Sequence, residues 1–343
     1  MLRRRAVVVH RRTELDELVD RHGTRGQAEF FLRTRGRTLA QVQSRHDALT
    51  AVREQVVAAL PPDWARADVE RSDLSRFLVA PEDLVVVVGQ DGLVANVAKY
   101  LDGQPVLGVD PEPGVNAGVL VRHGVDAAVA VLRGLGVPAR PVPDGAVSGP
   151  APDRVALLPV DALTTVRADL DDGQSLTALN EVFVGHPTHQ SARYTLRCED
   201  GEERQSSSGV LVATGTGATG WWASLAHDRG GRRAPGRTEA RLGWFVREAW
   251  PSPATGTRLT EGYVEDGRDV ELTVASDRLV VFGDGMEDDR LVASWGQTVT
   301  VRTAGAPLRL VRPGVPQSSA AGPARPRTSS TQASSYATSF HAS

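Results

Sequence analysis

The chain has 343 residues, of which 41% are hydrophobic and 24% charged, with a formal net charge of -3. That is enough apolar material for two domains or one large domain with a second lobe. The near-neutral balance gives no bulk pull toward nucleic acid, and no apolar run reaches the ~18–20 residues a membrane span needs.

The opening MLRRRAVVVH has the charge of a signal peptide's first region. Its apolar run is short, however, and polar residues follow from His10 to Glu14, so Ala6–Val9 reads as a first strand. Residues 38–60 place apolar side chains at mostly three- and four-residue spacing, an amphipathic helix that Pro61-Pro62 ends. A polar strand is expected over 66–71. Leu84–Val88 is continuously apolar, the pattern of a strand covered on both faces of a parallel sheet. A helix over Leu93–Leu101, a strand over Pro105–Val109 and a helix over Gly124–Gly134 follow. This alternation predicts an open α/β sheet in a domain of residues 1–150.

Residues 137–154 are rich in Pro and Gly, a crossing between lobes or a surface loop. From about 155 to 303 short strand-like runs dominate: Val155–Leu158, Leu163–Ala168, Ala192–Arg197, Gly209–Ala213, Arg241–Arg247, Val270–Val274, Arg278–Phe282 and Thr298–Arg302. One helix is expected near Thr219–His227, and the second domain, 151–303, is β-rich. Residues 314–343 are rich in Ser, Ala, Pro and Thr and are expected to be a disordered tail. Cys198 is the single cysteine, so no intramolecular disulfide forms, and a reducing, cytoplasmic location is expected.

Three stretches carry candidate chemistry. In the first, the Leu84–Val88 strand runs into Gly89-Gln90-Asp91-Gly92 before a helix. Glycines at the carboxyl end of such a strand let phosphate approach backbone N–H groups, and the helix N-terminus favours an anion. Asp91 is then a general base toward a hydroxyl, a magnesium ligand, or simply the cap of a tight turn. In the second, Asn180-Glu181 stands at the start of an apolar strand, able to hold ribose hydroxyls or to cap the strand. In the third, Val210–Ala213 enters Thr214-Gly215-Thr216-Gly217-Ala218-Thr219-Gly220, with Trp221 and Trp222 next. This is an anion cradle or a glycine-rich hairpin, and the tryptophans either stack on a base or fill the core. His186 and His189, the acidic turn Asp169–Asp172, and the basic runs Arg3–Arg5 and Arg229–Arg233 fit loop or solvated roles better than metal or phosphate sites.

Taken together and in this order, these pieces resemble the NAD kinase family, most like its mitochondrial-type branch. The family's GGDGT motif stands here as Gly89-Gln90-Asp91-Gly92-Leu93, and its GVN turn as Gly108-Val109-Asp110. The asparagine–glutamate motif is intact in Asn180-Glu181. The TGTGS motif is matched by Thr214–Ala218 with Trp221, and a late aspartate–glycine pair by Asp284-Gly285. The matched pieces span roughly residues 5–311. Gln90, Leu93, Asp110 and Ala218 depart from the motifs.

The resemblance implies an α/β N-terminal domain and a β-rich, NAD-binding C-terminal domain, with 304–313 returning to the first. It implies transfer of the γ-phosphate of ATP to the 2′-hydroxyl of the adenosine ribose of NAD, with Mg²⁺ on the triphosphate. Asp91 would take or orient the hydroxyl proton. Gly89, Gly92, Asp110, Asn180, Glu181, Thr214, Gly215, Thr216, Gly217 and Thr219 would form the nucleotide pocket. The expected partners are small nucleotides and further copies of the chain, as homodimer or homotetramer, with no nucleic acid and no membrane. The departures leave two alternatives: a catalytically impaired NAD(P)-binding or sensing protein, and a kinase of a lipid or sugar hydroxyl.

Overall fold

The computed structural model describes residues 3–115, 118–137 and 153–314. The expected tail from 315 onward and most of the Pro- and Gly-rich stretch at 137–154 lie outside the described residues. The described residues build three sheets. In the first, Arg5–His10, Ala65–Glu70, Leu84–Val88 and Pro105–Asp110 run parallel, with Arg5–His10 between the second and third of these. Leu308–Val311 joins parallel beside Pro105–Asp110, and Val160–Leu163 closes that edge antiparallel.

The central strands read as the sequence predicts. Leu84–Val88 is buried at every position because both faces are covered. Val85 and Val87 face the helix Asp91–Ala98, whereas Leu84, Val86 and Val88 face the helices Leu39–Ala58 and Val125–Gly136. Thr38 starts the long helix with a capping box: its side chain accepts the Gln41 N–H, and Gln41 reaches back to the Thr38 N–H.

The other two sheets are six-stranded and antiparallel, and they pack face to face. One face contributes Ala168, Tyr194, Leu196, Leu272 and Val301, the other Val184, Val210, Val212, Trp244 and Val281. Gly209–Ala213 is buried throughout, since Val210 and Val212 point into this sandwich while Leu211 and Ala213 lie under the helix Trp221–Asp228.

The sequence reading departs from the fold in several places, and the strands Ser175–Ala178, Gly201–Ser207, Glu261–Val264 and Met286–Ser294 were not among those expected. Val155–Leu158 is a turn rather than a strand: Asp153 and Val155 carbonyls accept the N–H groups of Leu157 and Leu158. Leu163–Ala168 is two strands, Val160–Leu163 in the first sheet and Val166–Leu170 in the sandwich. The helices Glu14–His22 and Arg25–Arg33 were not expected, although Leu15, Leu18 and Val19, and Ala28, Phe31 and Leu32, recur at three- and four-residue spacing and Thr13 caps the first.

Candidate functional site: an arginine-walled cleft

Parallel strands end together, so His10, Val88 and the Pro111-Glu112 turn after Asp110 reach one edge of the first sheet. A cleft of about 460 Å³ opens there. Such an edge is where open α/β sheets bind ligands. Its floor is Gly89, Gln90, Gly92 and Leu93, and its far side is Asn180, Asp284, Gly285 and Met286. Arg11, Arg12, Arg45, Arg53 and Arg71 line it as well, together with Glu14, Glu17 and Glu112.

Three of these arginines meet carboxylates: Arg11 with Glu17 at 3.3 Å, Arg12 with Asp20 at 2.5 Å, and Arg45 with Glu112 at 2.9 Å. The other two meet groups other than carboxylates. Arg53 Nη1 lies 3.2 Å from His10 Nε2, and Arg71 Nε donates to Asn96 Oδ1 at 2.8 Å. Among the described residues no carboxylate forms an ion pair with Arg53 or Arg71. Their charge is left for an anion, and a guanidinium fork suits phosphate. Sequence reasoning missed this wall. Arg45, Leu49 and Arg53 recur at four-residue spacing on one helix and all line the cleft, a signal readable in advance. The basic runs singled out instead are structural. Arg5 pairs with buried Asp83, and Arg229 donates to the backbone carbonyls of Val246 and Thr260.

Asp91 is the first residue of its helix. Its Oδ1 accepts the N–H groups of Leu120 at 2.7 Å and Val121 at 3.0 Å, and its Oδ2 accepts that of Val119 at 3.0 Å. The carboxylate clamps segment 119–121 to the glycine loop. Oδ2, with one donor, keeps lone-pair capacity. Asp110 is buried and accepts the Glu112 N–H at 3.0 Å, which shapes the turn into the cleft.

The Asn180-Glu181 pair is held from beneath. Asp284 and Gly285 turn the hairpin between Arg278–Gly283 and Met286–Ser294 with φ of 54° and 67°, the pattern of a two-residue type I′ turn. From there the Asp284 carboxylate accepts the N–H groups of Leu179 at 2.9 Å, Asn180 at 2.7 Å and Glu181 at 3.4 Å. Burial pushes Asp284 up to about 6, against the three N–H groups and the Lys99 charge, which pull it down. Burial, and then the charge of Asp284, push Glu181 up to about 7. The two are neighbours and titrate as a pair.

Thr214 binds the same turn from the other side. Its N–H donates to the Asn180 carbonyl at 2.9 Å and its Oγ1 to the Leu179 carbonyl at 2.6 Å. Gly215 packs on the backbone of Gly236 and Gly217 on that of Asn180. Trp221 stacks on Phe183 with centroids 5.0 Å apart, and Trp222 is buried against Phe245. Of the expected pocket residues, the structure therefore brings Gly89, Gly92 and Asn180 into the cleft. Asp91, Asp110, Glu181, Thr214, Gly215, Thr216, Gly217 and Thr219 are not among its lining residues.

Among the described residues no group of three or more His, Cys, Asp or Glu is placed to hold a metal ion. The donor set is not a dedicated Mg²⁺ cage.

No family model matches the chain. The chain is similar to NAD kinase 2, mitochondrial, of Rattus norvegicus, at 25% identity over 220 residues, 56% of this chain and 52% of that protein. It is similar to NAD kinase 2, mitochondrial, of Homo sapiens, at 26% identity over 220 residues, 56% of this chain and 50% of that protein. The chain thus spans about half the length of the curated relatives it matches. Both relatives carry "mitochondrial" in their names, which overturns the cytoplasmic expectation. A single cysteine excludes an internal disulfide and does not tell one compartment from another. What the comparisons give is a weak similarity to NAD kinases, together with an α/β region followed by a β-rich region of the kind the resemblance implies.

Proposed function

We propose that this protein is an NAD kinase-like phosphotransferase that passes the γ-phosphate of ATP to the 2′-hydroxyl of the adenosine ribose of NAD, giving NADP. The observation that carries this reading is the cleft itself. A cationic wall with two arginines lacking carboxylate partners faces a glycine loop at the carboxyl ends of parallel strands, and Asn180 closes the opposite side. In this reading the donor's phosphates lie against Arg53 and Arg71 and over Gly89 and Gly92. The acceptor ribose meets Asn180 and reaches past the glycine loop to Asp91, which lies outside the cleft lining, so that its Oδ2 accepts the hydroxyl proton as the oxygen attacks the γ-phosphorus and the ADP oxygen leaves. The carboxamide of Asn180 is suited to ribose hydroxyls because it both donates and accepts.

Purified protein with NAD, ATP and Mg²⁺ is expected to form NADP, and Asp91→Asn to lower kcat by about 10²–10⁴ while the protein stays folded. Binding of NAD without NADP formation overturns the catalytic claim. That outcome has its own observation behind it: Gln90 lines the cleft where the family motif has glycine, so its side chain narrows the phosphate path. A non-catalytic NAD(P)-binding protein is therefore the second reading. Recovery of turnover in Gln90→Gly distinguishes it from the first.

A further inference from the structure

Of the 39 lysines and arginines in the chain, 38 are arginine, and Lys99 is the one lysine. It follows directly on the helix Asp91–Ala98, whose first turn carries the glycine loop. Its side chain is 4% exposed, with Nζ 2.7 Å from Asp289 Oδ2. Tyr100 donates to the same oxygen at 3.3 Å. Asp289 belongs to the hairpin strand Met286–Ser294, a few residues after the Asp284 turn. The Lys99 charge also reaches Asp284 and favours its ionised form.

Position 99 calls for what lysine has and arginine lacks. An ammonium is compact and carries three donors that swing freely, whereas a guanidinium is a planar fork with five. In a nearly closed slot with carboxylates on one side, unpaired donors of the fork are costly. The arginines of this chain in ion pairs are more open, from 19% exposed at Arg122 to 80% at Arg258. The charged groups around the junction are Lys99 on the helix side, Asp284 and Asp289 on the hairpin and Glu181 on the adjoining strand. Arg71 lies near enough to act on Tyr100.

We infer that Lys99 is a positioning residue: its buried ammonium ties the glycine-loop helix to the Asp284 hairpin and so sets Asn180-Glu181 against Gly89–Gly92 across the cleft. The inference rests on the reading of the cleft as a phosphoryl-transfer site, and it specifies what holds the acceptor side in register with the donor side. Removing the ammonium leaves Asp289 and Asp284 without their cation, and the hairpin shifts or its acids take up protons. The acceptor side then loses its geometry, while the arginine wall, which among the described residues hydrogen-bonds to that helix only through Arg71 and Asn96, keeps its own.

A single lysine makes a direct test available. Protein grown with [¹³C]lysine gives one set of lysine side-chain NMR signals, all from residue 99. Between about pH 5 and 8 the Lys99 ε-carbon is expected to shift as the neighbouring acids titrate, and Asp284→Asn is expected to change that curve. A signal that is flat over this range, or a curve unmoved by Asp284→Asn, overturns the inference. In kinetics, Lys99→Met is expected to raise KM for NAD by about 10-fold or more and leave KM for ATP within about 2-fold. Lys99→Arg, which keeps the charge but brings a planar fork into the closed slot, is expected to recover only part of the NAD effect if the protein melts normally. Equal losses for both substrates in Lys99→Met overturn the inference in favour of general loosening. If the wild-type protein forms no NADP, the phosphotransferase reading fails, and the NMR titration still decides the role of Lys99. The same holds if Lys99→Met does not fold.

Discussion

The two glycine loops look alike in sequence and differ in what their glycines are for. Both follow a buried strand and precede a helix. A Cβ on Gly92 would meet nothing within 4 Å, and on Gly89 would touch only the flexible end of Leu93 at 2.9 Å. Neither residue has positive φ. Neither packing nor backbone conformation asks for glycine there, and the open space belongs to the cleft. In the second loop, a Cβ on Gly215 would stand 2.3 Å from the Gly236 carbonyl oxygen, and one on Gly217 would stand 2.4 Å from that of Asn180. Those glycines are required by backbone packing. A glycine-rich loop between strand and helix is therefore an ambiguous phosphate signal. The space around each Cβ position resolves it.

The sharpest way to break this comparison is Gly217→Ala. Its methyl group has only rigid backbone to push against, so we expect a loss of about 3 kcal/mol or more, read as a lower midpoint in urea. The displaced Asn180 would carry the site with it. A variant that keeps its stability and loses only nucleotide affinity would show that the second loop is a cradle after all.

Arg53→Met and Arg71→Met test the open side of the comparison. Each removes a cation that no carboxylate neutralises; stability is expected to change little in Arg53→Met and to fall by about 1–2 kcal/mol in Arg71→Met, which leaves the buried Asn96 Oδ1 without its donor. Affinity for ATP is expected to fall about 10- to 100-fold per substitution, the worth of a charge-assisted contact to phosphate, and to fall further with added salt. Isothermal titration at two ionic strengths measures both. Unchanged affinity in both variants would remove the donor from this cleft.

Between the two loops sits the acid pair, and Glu181→Gln shows how much strain the junction stores. Glu181 is raised to about 7 by burial and by Asp284, whereas an unfolded chain holds its glutamates near 4.3. Over the interval between these values the folded state binds the extra proton. The favourable contribution is complete below the lower value, declines as pH rises, and is gone above the higher one. At pH 8 the wild type therefore carries an ionised, mostly buried carboxylate that glutamine removes. We expect the variant to be more stable than wild type by about 1–2 kcal/mol at pH 8, with the difference clearly smaller at pH 5 and nearly absent near pH 3. Equal stability at all three values would show that Glu181 is solvated.

What was legible in the sequence follows from which interactions are local. The Leu84–Val88 strand and the helix at Leu39–Ala58 are written in period and in the Pro61-Pro62 stop, and they could be read residue by residue. The motif order led to Gly89, Gly92 and Asn180 in the cleft. The arginine wall was not legible as a unit, because its members come from a strand end, a helix face and the segment after Ala65–Glu70, and only the fold brings them together. Asp284 escaped for a related reason: its carboxylate binds a backbone more than a hundred residues away, and no local pattern marks that.

The finest test of the comparison is Gly92→Ala, the counterpart of Gly217→Ala with the opposite expectation. Gly92 lies in the first turn of the helix Asp91–Ala98, and its Cβ position is empty. Alanine restricts the unfolded chain and favours the helix, so stability is expected to hold or to rise by up to about 1 kcal/mol. The cost falls on the ligand. A methyl group at the cleft floor stands where phosphate would approach the backbone N–H groups, and ATP affinity is expected to drop several-fold. A variant that gains stability and loses affinity places the reason for this glycine in the cleft. If it gains stability and binds ATP as before, the glycine loop is only a turn, and the phosphate site must be assigned to the arginine wall alone.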